Sequence, residues 1–470
     1  MNPTEGAYRP HLRTALVLTG VGTAGAYQAG VLRALQEAGI KIDVIAAHGV
    51  GIGTALMMAV DSGPGLWETG GVWRDSRVRR LYRLNPSLRG ALWVSLVGCA
   101  VVVLPLAAMA AGLLAYPAGF LVGLVWPAGG QALSQTYAGL VERAYQSGLM
   151  PTLVSRLALL TIALAVMIVG GAAAKEALSR GDRRRDRGPW WARVVGTPWS
   201  ARQSVEMFQE ALWKGLRGAA RVKPPPVSEL SRRYVDVLEE NFGQPGFREL
   251  LLLAHDVDAR RDMLFALLAD PFRREFLRQG PGGTRRRDGE ILDLLGSGRA
   301  HVLDALAAGA SLPVLTAGHP MSFAVDGFWR GETHVLSDRV GAVARLLDES
   351  AAAGARQVVI VSASSAQDRP HWLGPRRQTL RARAGEYFAG SELAALQDAL
   401  APRQHLFEGI FHIAPLHSPM GPFDFRGCRD DRSDRTYPLT ELIDRGHEDA
   451  YQQFIEPVVG GSGERLQASR

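Results

Sequence analysis

A three-layer α/β sheet domain, interrupted by an apolar helical hairpin, is the architecture this sequence predicts. Three observations predict it. Near the N-terminus, short apolar runs with β-branched residues alternate with segments of helical periodicity. No charged residue occurs between Arg89 and Glu142, and a second apolar run covers Leu157 to Ala174. Beyond these runs the strand-and-helix pattern resumes. The chain therefore divides into a first part of the sheet domain (1–88), a hairpin insertion (89–175), a basic juxtamembrane segment and linker (176–226), and a second part of the sheet domain (227–470).

The elements justify this order. Thr14 to Thr19 is apolar, β-branched and bounded by glycine, so it reads as a buried strand. A tight turn follows at Gly20-Val21-Gly22-Thr23-Ala24-Gly25. Ala26 to Ala38 carries Val31, Leu32 and Leu35 at helical spacing and stops at Gly39. Asp43 to His48 is a second buried strand. Gly49-Val50-Gly51-Ile52-Gly53 makes a second sharp turn, and a helix starts near Thr54. Lys223-Pro-Pro-Pro226 marks a linker, and Gly354 to Val361 ends in a late sheet strand.

Two chemistries use such turns. Gly20, Gly22 and Gly25 fit the G-x-G-x-x-G fingerprint of a dinucleotide site. That site also wants an acidic residue at the end of the next strand. Here the strand ends in Ala47-His48, and Asp43 sits at its other end. The second chemistry is acyl transfer, in which glycine turns let backbone N–H groups converge on an oxyanion and a nucleophile stands on a sharp elbow.

The residues Leu16 to Leu35, with Gly49–Gly53 at the following turn, resemble the opening of the patatin-like phospholipases. Trp73 to Tyr82, Leu303 to Pro313, Ala324-Val-Asp-Gly327 and Glu441 to Tyr451 extend the likeness, which covers roughly 12–82 and 230–460. The resemblance implies a Ser–Asp dyad without histidine and an acyl-enzyme. It places Asp326 on the general base, Gly51 on the nucleophile, Gly20, Val21, Gly22 and Gly25 on the oxyanion loop, and Gly49 and Gly53 on the elbow. Three departures stand out. Gly51 has no side chain, Ala24 replaces the basic residue of the loop, and Phe328 follows Asp326-Gly327. The expected protein is thus a pseudoenzyme of lipid metabolism that binds lipid or acyl groups, or a partner. An active acyl hydrolase with another nucleophile is one alternative, and a nucleotide-binding membrane protein is the other. His48, Thr23 and Thr54 are the polar groups near the elbow. Thr54 falls inside the helix, Thr23 lacks an evident base, and His48 reads as a hydrogen-bonded strand end.

Composition supplies the setting. Hydrophobic residues make up 47% of the 470 and charged residues 21%, with a mean hydropathy of +0.00. The apolar excess is local, since each of the two runs has the length of about 20 residues that a bilayer demands. The first span is expected near Leu92–Ala115, with Tyr116-Pro117 and Pro127 to Gly130 breaking the helix, and Phe120–Trp126 interfacial or re-entrant. Arginines crowd the outer flanks (Arg74, Arg77, Arg79 and Arg80 before; Arg180, Arg183, Arg184, Arg185 and Arg187 after). The positive-inside rule then puts both flanks in the cytoplasm and the hairpin tip outside. Two spans in the inner membrane and a cytoplasmic sheet domain follow, with Trp190, Trp191 and Trp199 suited to an interfacial belt.

The net charge of +7 gathers beside the spans, where it meets anionic headgroups. No nucleic-acid motif accompanies it, and Arg285 to Arg287 follow a glycine-proline stretch that reads as a solvated loop. Membrane lipids are the expected partners. Cys99 and Cys428 make no disulfide framework. No metal-ligand spacing and no cofactor motif beyond the glycine fingerprint is visible, and polar residues precede the first strand, so no cleavable signal peptide is expected.

Overall fold

A computed structural model of the chain describes residues 8–145, 150–178, 197–220, 222–278, 289–365, 379–430 and 434–460. By its contacts the chain forms two units, Met1–Arg83 with Ser200–Arg470, and Leu84–Trp199. The first unit is a mixed α/β sheet with helices around it.

The sheet grows from β1 (Thr14–Thr19), whose six residues are all buried. Its predicted successors follow as α1 (Ala24–Glu37), β2 (Val44–His48) and α2 (Gly51–Ala59). A one-turn α3 (Pro64–Trp67) leads toward the insertion, which leaves and rejoins the unit at the short strands β3 (Arg83–Leu84) and β4 (Trp199–Ser200). The later strands are β5 (Glu249–Asp256), β6 (Arg261–Leu267), β7 (Ile291–Asp293), β8 (His319–Ser322), β9 (Thr333–Ser337), β10 (Gln357–Ser362) and β11 (Gly409–Ile413). Their order across the sheet is β11-β10-β1-β2-β5-β6-β7, with β9 on the end of β5 and β8 on β9. Strands β11, β10, β1, β2 and β5 run parallel, as in Leu16 opposite Val359 on one side and Ile45 on the other. Both faces of these strands are covered, so they read as unbroken apolar runs.

One face packs Ala15, Val17, Val44, Ala46, Leu251 and Leu253 against Val343, Leu346 and Leu347 of the 343–352 helix and Leu396 and Leu400 of the 380–403 helix. α1 packs along the 441–450 helix. That packing depends on glycine, because a Cβ on Gly30 would collide with the Ile443 carbonyl and one on Gly446 with the Tyr27 carbonyl. Tyr27 Oη then donates to Asp449 Oδ2 at 2.9 Å, which fixes the register of the two helices.

The second unit is helical. α4 (Pro86–Val125) is one helix of 40 residues, about 60 Å long at ~1.5 Å per residue. It runs through Pro105 and Pro117 and ends at Trp126, so only the predicted break at Pro127 is seen. A proline removes one helical hydrogen bond, and neighbouring helices hold the turn around Pro117. α5 (Pro127–Tyr145) and α6 (Met150–Leu178) lie antiparallel to α4. Gly112 faces Tyr137 and Gly119 faces Ser134, while Gly98 faces Thr161 and Gly90 faces Ile168. Tyr137 Oη donates to the Ala108 carbonyl. Small residues thus line the contacts, and large apolar ones point outward, with Leu113 78%, Leu114 76% and Val125 90% exposed. Among the described residues one helical segment, Ala107–Val125, is long and apolar enough to cross a membrane, and Arg156–Gly171 is a shorter apolar helix. Trp199 is buried. Arg180 to Arg187, Trp190, Trp191 and Arg285 to Arg287 lie outside the described residues.

Candidate functional site

Two glycine turns leave the carboxyl ends of the neighbouring strands β1 and β2. The second decides the chemistry. β2 ends at His48, Gly49 takes φ +60°, Val50 is already helical, and α2 begins at Gly51. The residue at the apex of this strand-to-helix turn is therefore Gly49. A nucleophile elbow carries its side chain at such a strained apex. Gly51, the expected nucleophile position, lies instead in the first turn of α2. A Cβ there would come within 2.9 Å of the Leu18 carbonyl oxygen and of Leu18 Cβ, so position 51 faces strand β1 rather than a site. Gly53 is a helix residue, and a Cβ on it would press on the Phe208 ring at 2.7 Å. Both glycines serve packing.

A Cβ on Gly49 would meet three polar atoms. These are the Gly20 carbonyl oxygen at 2.6 Å and the Asp338 carboxylate, Oδ2 at 3.2 Å and Oδ1 at 3.5 Å. Asp338 directly follows β9 and precedes the 343–352 helix, and its N–H is held by the Ser311 carbonyl at 2.8 Å. It is buried, and Oδ2 has no hydrogen-bond partner among the described residues. Asp326, the base implied by the sequence, lies elsewhere. It is exposed in the turn between β8 and β9, where Gly327 N and Gly331 N both donate to the Ala324 carbonyl. β9 is five residues long, so this turn stands about 16 Å from the strand end that carries Asp338, at ~3.3 Å per residue. Phe328 belongs to the same exposed turn and contacts Trp329.

His48 completes the buried cluster. Its Nδ1 is 3.3 Å from Asp338 Oδ1, and its Nε2 is 3.3 Å from Glu392 Oε2. Glu392 also accepts from Gly341 N at 3.0 Å. Burial alone would push the imidazole down, but the Glu392 charge and the hydrogen bonds to both carboxylates outweigh it and raise the ring to about 10. Burial raises the Asp338 carboxyl, and the His48 cation only partly offsets this. His48 is thus an imidazolium shared by two carboxylates.

The first turn presents a carbonyl, not a donor, to the apex. The Gly20 carbonyl points at the apex and accepts from Val50 N at 3.3 Å. An acyl-transfer site needs a donor there, because charge develops on the substrate oxygen. Farther round the turn, Thr23 N donates to the Pro422 carbonyl at 2.8 Å and Thr23 Oγ1 to the Gly421 carbonyl at 3.0 Å. A Cβ on Gly22 would collide with that Pro422 carbonyl. Ala24 N and Gly25 N are spent on Val21 and Gly22 carbonyls. Val21 and Ala24 are buried, and Gly25 is glycine because the Trp73 ring lies against it. The strap at 421–423 also lies where a dinucleotide pyrophosphate would need these N–H groups.

A family model for patatin-like phospholipase matches residues 16–335, more than half of the chain. The chain belongs to the patatin-like phospholipase family. Comparison with curated proteins gives no match. Among solved structures, the chain is similar to VipD from Legionella pneumophila, at 14% identity over 96% of this chain and 68% of that one, with a TM-score of 0.31. It is also similar to the type III effector protein ExoU, at 12% identity over 95% and 52%, with a TM-score of 0.27. The chain thus spans about two thirds of the first and half of the second.

In this patatin-like chain, sequence reasoning missed Asp338 and placed the apex two residues late. Signals for both were present. Asp338 stands between an apolar strand and a helix, directly before Arg339-Val-Gly341. Centred on residue 49, the elbow reads Ala47-His48-Gly49-Val50-Gly51, which keeps only the last glycine of G-x-S-x-G. The exposed Asp326-Gly327 matched a family dipeptide and drew attention away.

Proposed function

We propose that this protein is a catalytically silent patatin-like protein, anchored in the inner membrane, that binds lipid or acyl groups or a protein partner rather than hydrolysing esters. One observation carries the reading: Gly49 stands at the elbow apex facing Asp338, with a carbonyl in place of an oxyanion donor. Asp338 is the vestigial base, and Gly49 holds the position of the missing serine. Without a hydroxyl the covalent route is closed. Purified protein in detergent is expected to give no labelling with a fluorophosphonate probe and no turnover of short-chain esters. Stable labelling of the wild type at any residue overturns the silent reading.

The inner-membrane anchor rests on the helical unit. Its small residues face inward and its large apolar residues outward, the arrangement suited to lipid rather than water. The arginine flanks put residues 180–230 and both termini on the cytoplasmic side, and residues 131–146 outside. Two spans follow, carried by α4 and α6. The test uses single cysteines at Ser134 and Ser200 in a chain with Cys99 and Cys428 replaced by serine. A membrane-impermeant thiol reagent on intact cells should label 134 and spare 200. The reverse pattern refutes the orientation, and complete extraction by high salt without detergent refutes the anchor.

A further inference from the structure

A cavity lined in part by the Gly20 turn lies at the carboxyl ends of β1, β10 and β11. Its volume is about 390 Å³, within the range of small-molecule sites, ~300–1,000 Å³. Neither Gly49 nor Asp338 lines it. β1 lies between β2 and β10, which the chain reaches by separate crossovers in opposite directions. In open α/β sheets, that point of reversal is where ligands bind.

The lining is acidic, although the whole chain carries +7. Glu386, Glu392, Asp424 and Asp430 line it with Arg381, Arg429 and His417, whose Nε2 is 3.5 Å from Asp430 Oδ2. Arg429 is engaged by Asp434 at 2.7 Å. Glu386 makes no ion pair among the described residues, and Glu392 lies deeper. The Glu392 side chain is 3% exposed, with Oε1 accepting from Gly341 N at 3.0 Å and Oε2 3.3 Å from His48 Nε2. Its nearest cation, the His48 ring, is shared with Asp338, which leaves two carboxylates to one imidazolium.

The rest of the wall is apolar. Ala389 and Leu393 of the 380–403 helix, with Met420 and Phe423, form one side. Among the described residues no three His, Cys, Asp or Glu side chains converge as metal ligands. An organic ammonium with an apolar body satisfies both parts of the wall, since its N–H groups meet Glu386 and its body lies against the apolar side chains.

We propose that this cavity is a binding site for a small organic ammonium compound with an apolar body, recognised by Glu386, with the charge of Glu392 behind the wall. The site shares the Gly20 turn and Glu392 with the elbow cluster, but the proposal stands whether or not the elbow hydrolyses esters.

The test compares three probes of similar shape on the full chain in a non-ionic detergent at neutral pH, by isothermal titration calorimetry. Phenethylamine carries the ammonium, 2-phenylethanol is neutral, and 3-phenylpropionate is an anion. The amine should bind at least tenfold more tightly than the alcohol, and the carboxylate more weakly still. Glu386→Gln, at an exposed wall position, should weaken the amine several-fold and leave the alcohol unchanged. Ala389→Phe should fill the cavity and abolish binding of the amine. Should Ala389→Phe fail to fold, the Glu386→Gln comparison decides. Tighter binding of the carboxylate, no detectable heat with the amine at millimolar concentration, or an amine affinity untouched by Glu386→Gln overturns the proposal.

Discussion

Replacing His48 by glutamine should destabilise the protein, and the loss should depend on pH in a defined way. The imidazolium sits 3.3 Å from one oxygen of Asp338 and 3.3 Å from one of Glu392, with all three side chains buried. Glutamine keeps a donor but removes the charge, leaving two buried carboxylates without a cation. Breaking a buried pair in this way costs about 3–5 kcal/mol. The pH window follows from the ring. Its folded pKa is raised to about 10 from the ordinary 6.5. A raised cationic group contributes stability that is fully present below the unfolded value and lost as pH rises through the folded one. Three and a half units correspond to an upper bound of about 5 kcal/mol at ~1.4 kcal/mol per unit. The raised Asp338 carboxyl works in the same sense at lower pH, because its ionisation on rising pH is a cost that the His48 cation offsets. Wild-type stability should therefore decline between pH 6.5 and about 10, while His48→Gln should be flatter over that window. Urea unfolding in detergent, followed by tryptophan fluorescence at pH 6, 7.5 and 9.5, measures both curves. Equal stabilities within 1 kcal/mol at pH 7.5, or parallel pH profiles, would refute the charged cluster.

The two glycines of the elbow separate the apex assignment from the one read off the sequence. Gly49→Ser places a hydroxyl beside Asp338 and, with the Gly20 carbonyl displaced by the new Cβ, should gain fluorophosphonate labelling, lost on adding Asp338→Asn but not Asp326→Asn; Gly51→Ser should gain none. Gly51→Ser pushes a side chain against Leu18, so it should lower stability by about 1–3 kcal/mol, read by the same urea unfolding. Gly22→Ala should collide with the Pro422 carbonyl at a positive φ, and faster limited proteolysis near residues 421–423 than in the wild type should report the displaced strap. Gly30→Ala should lower the thermal midpoint by several degrees through the lost approach of α1 to the 441–450 helix, whereas Gly39→Ala, with no atom within 4 Å of the new Cβ, should cost only the strain of its positive φ, about 1–2 kcal/mol.

Strands β1 and β2 and the helices after them were legible because both strands are buried on both faces, and unbroken runs such as Val44 to His48 leave little else for the chain to do. The family was legible for the same reason, since glycine turns stand at fixed distances from those strands. The site was harder to read, and the elbow shows why. Gly49, Gly51 and Gly53 repeat at intervals of two, so a five-residue glycine pattern fits in more than one register, and a missing serine removes the landmark that would choose between them. Backbone conformation breaks the tie, because only Gly49 combines a strand before it with a positive φ. Asp338 was hidden by a different cause. Its partner in the first half of the chain is His48, 290 residues away, and no local pattern encodes a contact of that range. An aspartate with no serine to activate would be a buried, uncompensated charge, which is costly. His48 removes that cost by lying between Asp338 and Glu392. The histidine that reads as a plain strand end is thus the residue that lets this fold keep Asp338 buried beside a glycine apex.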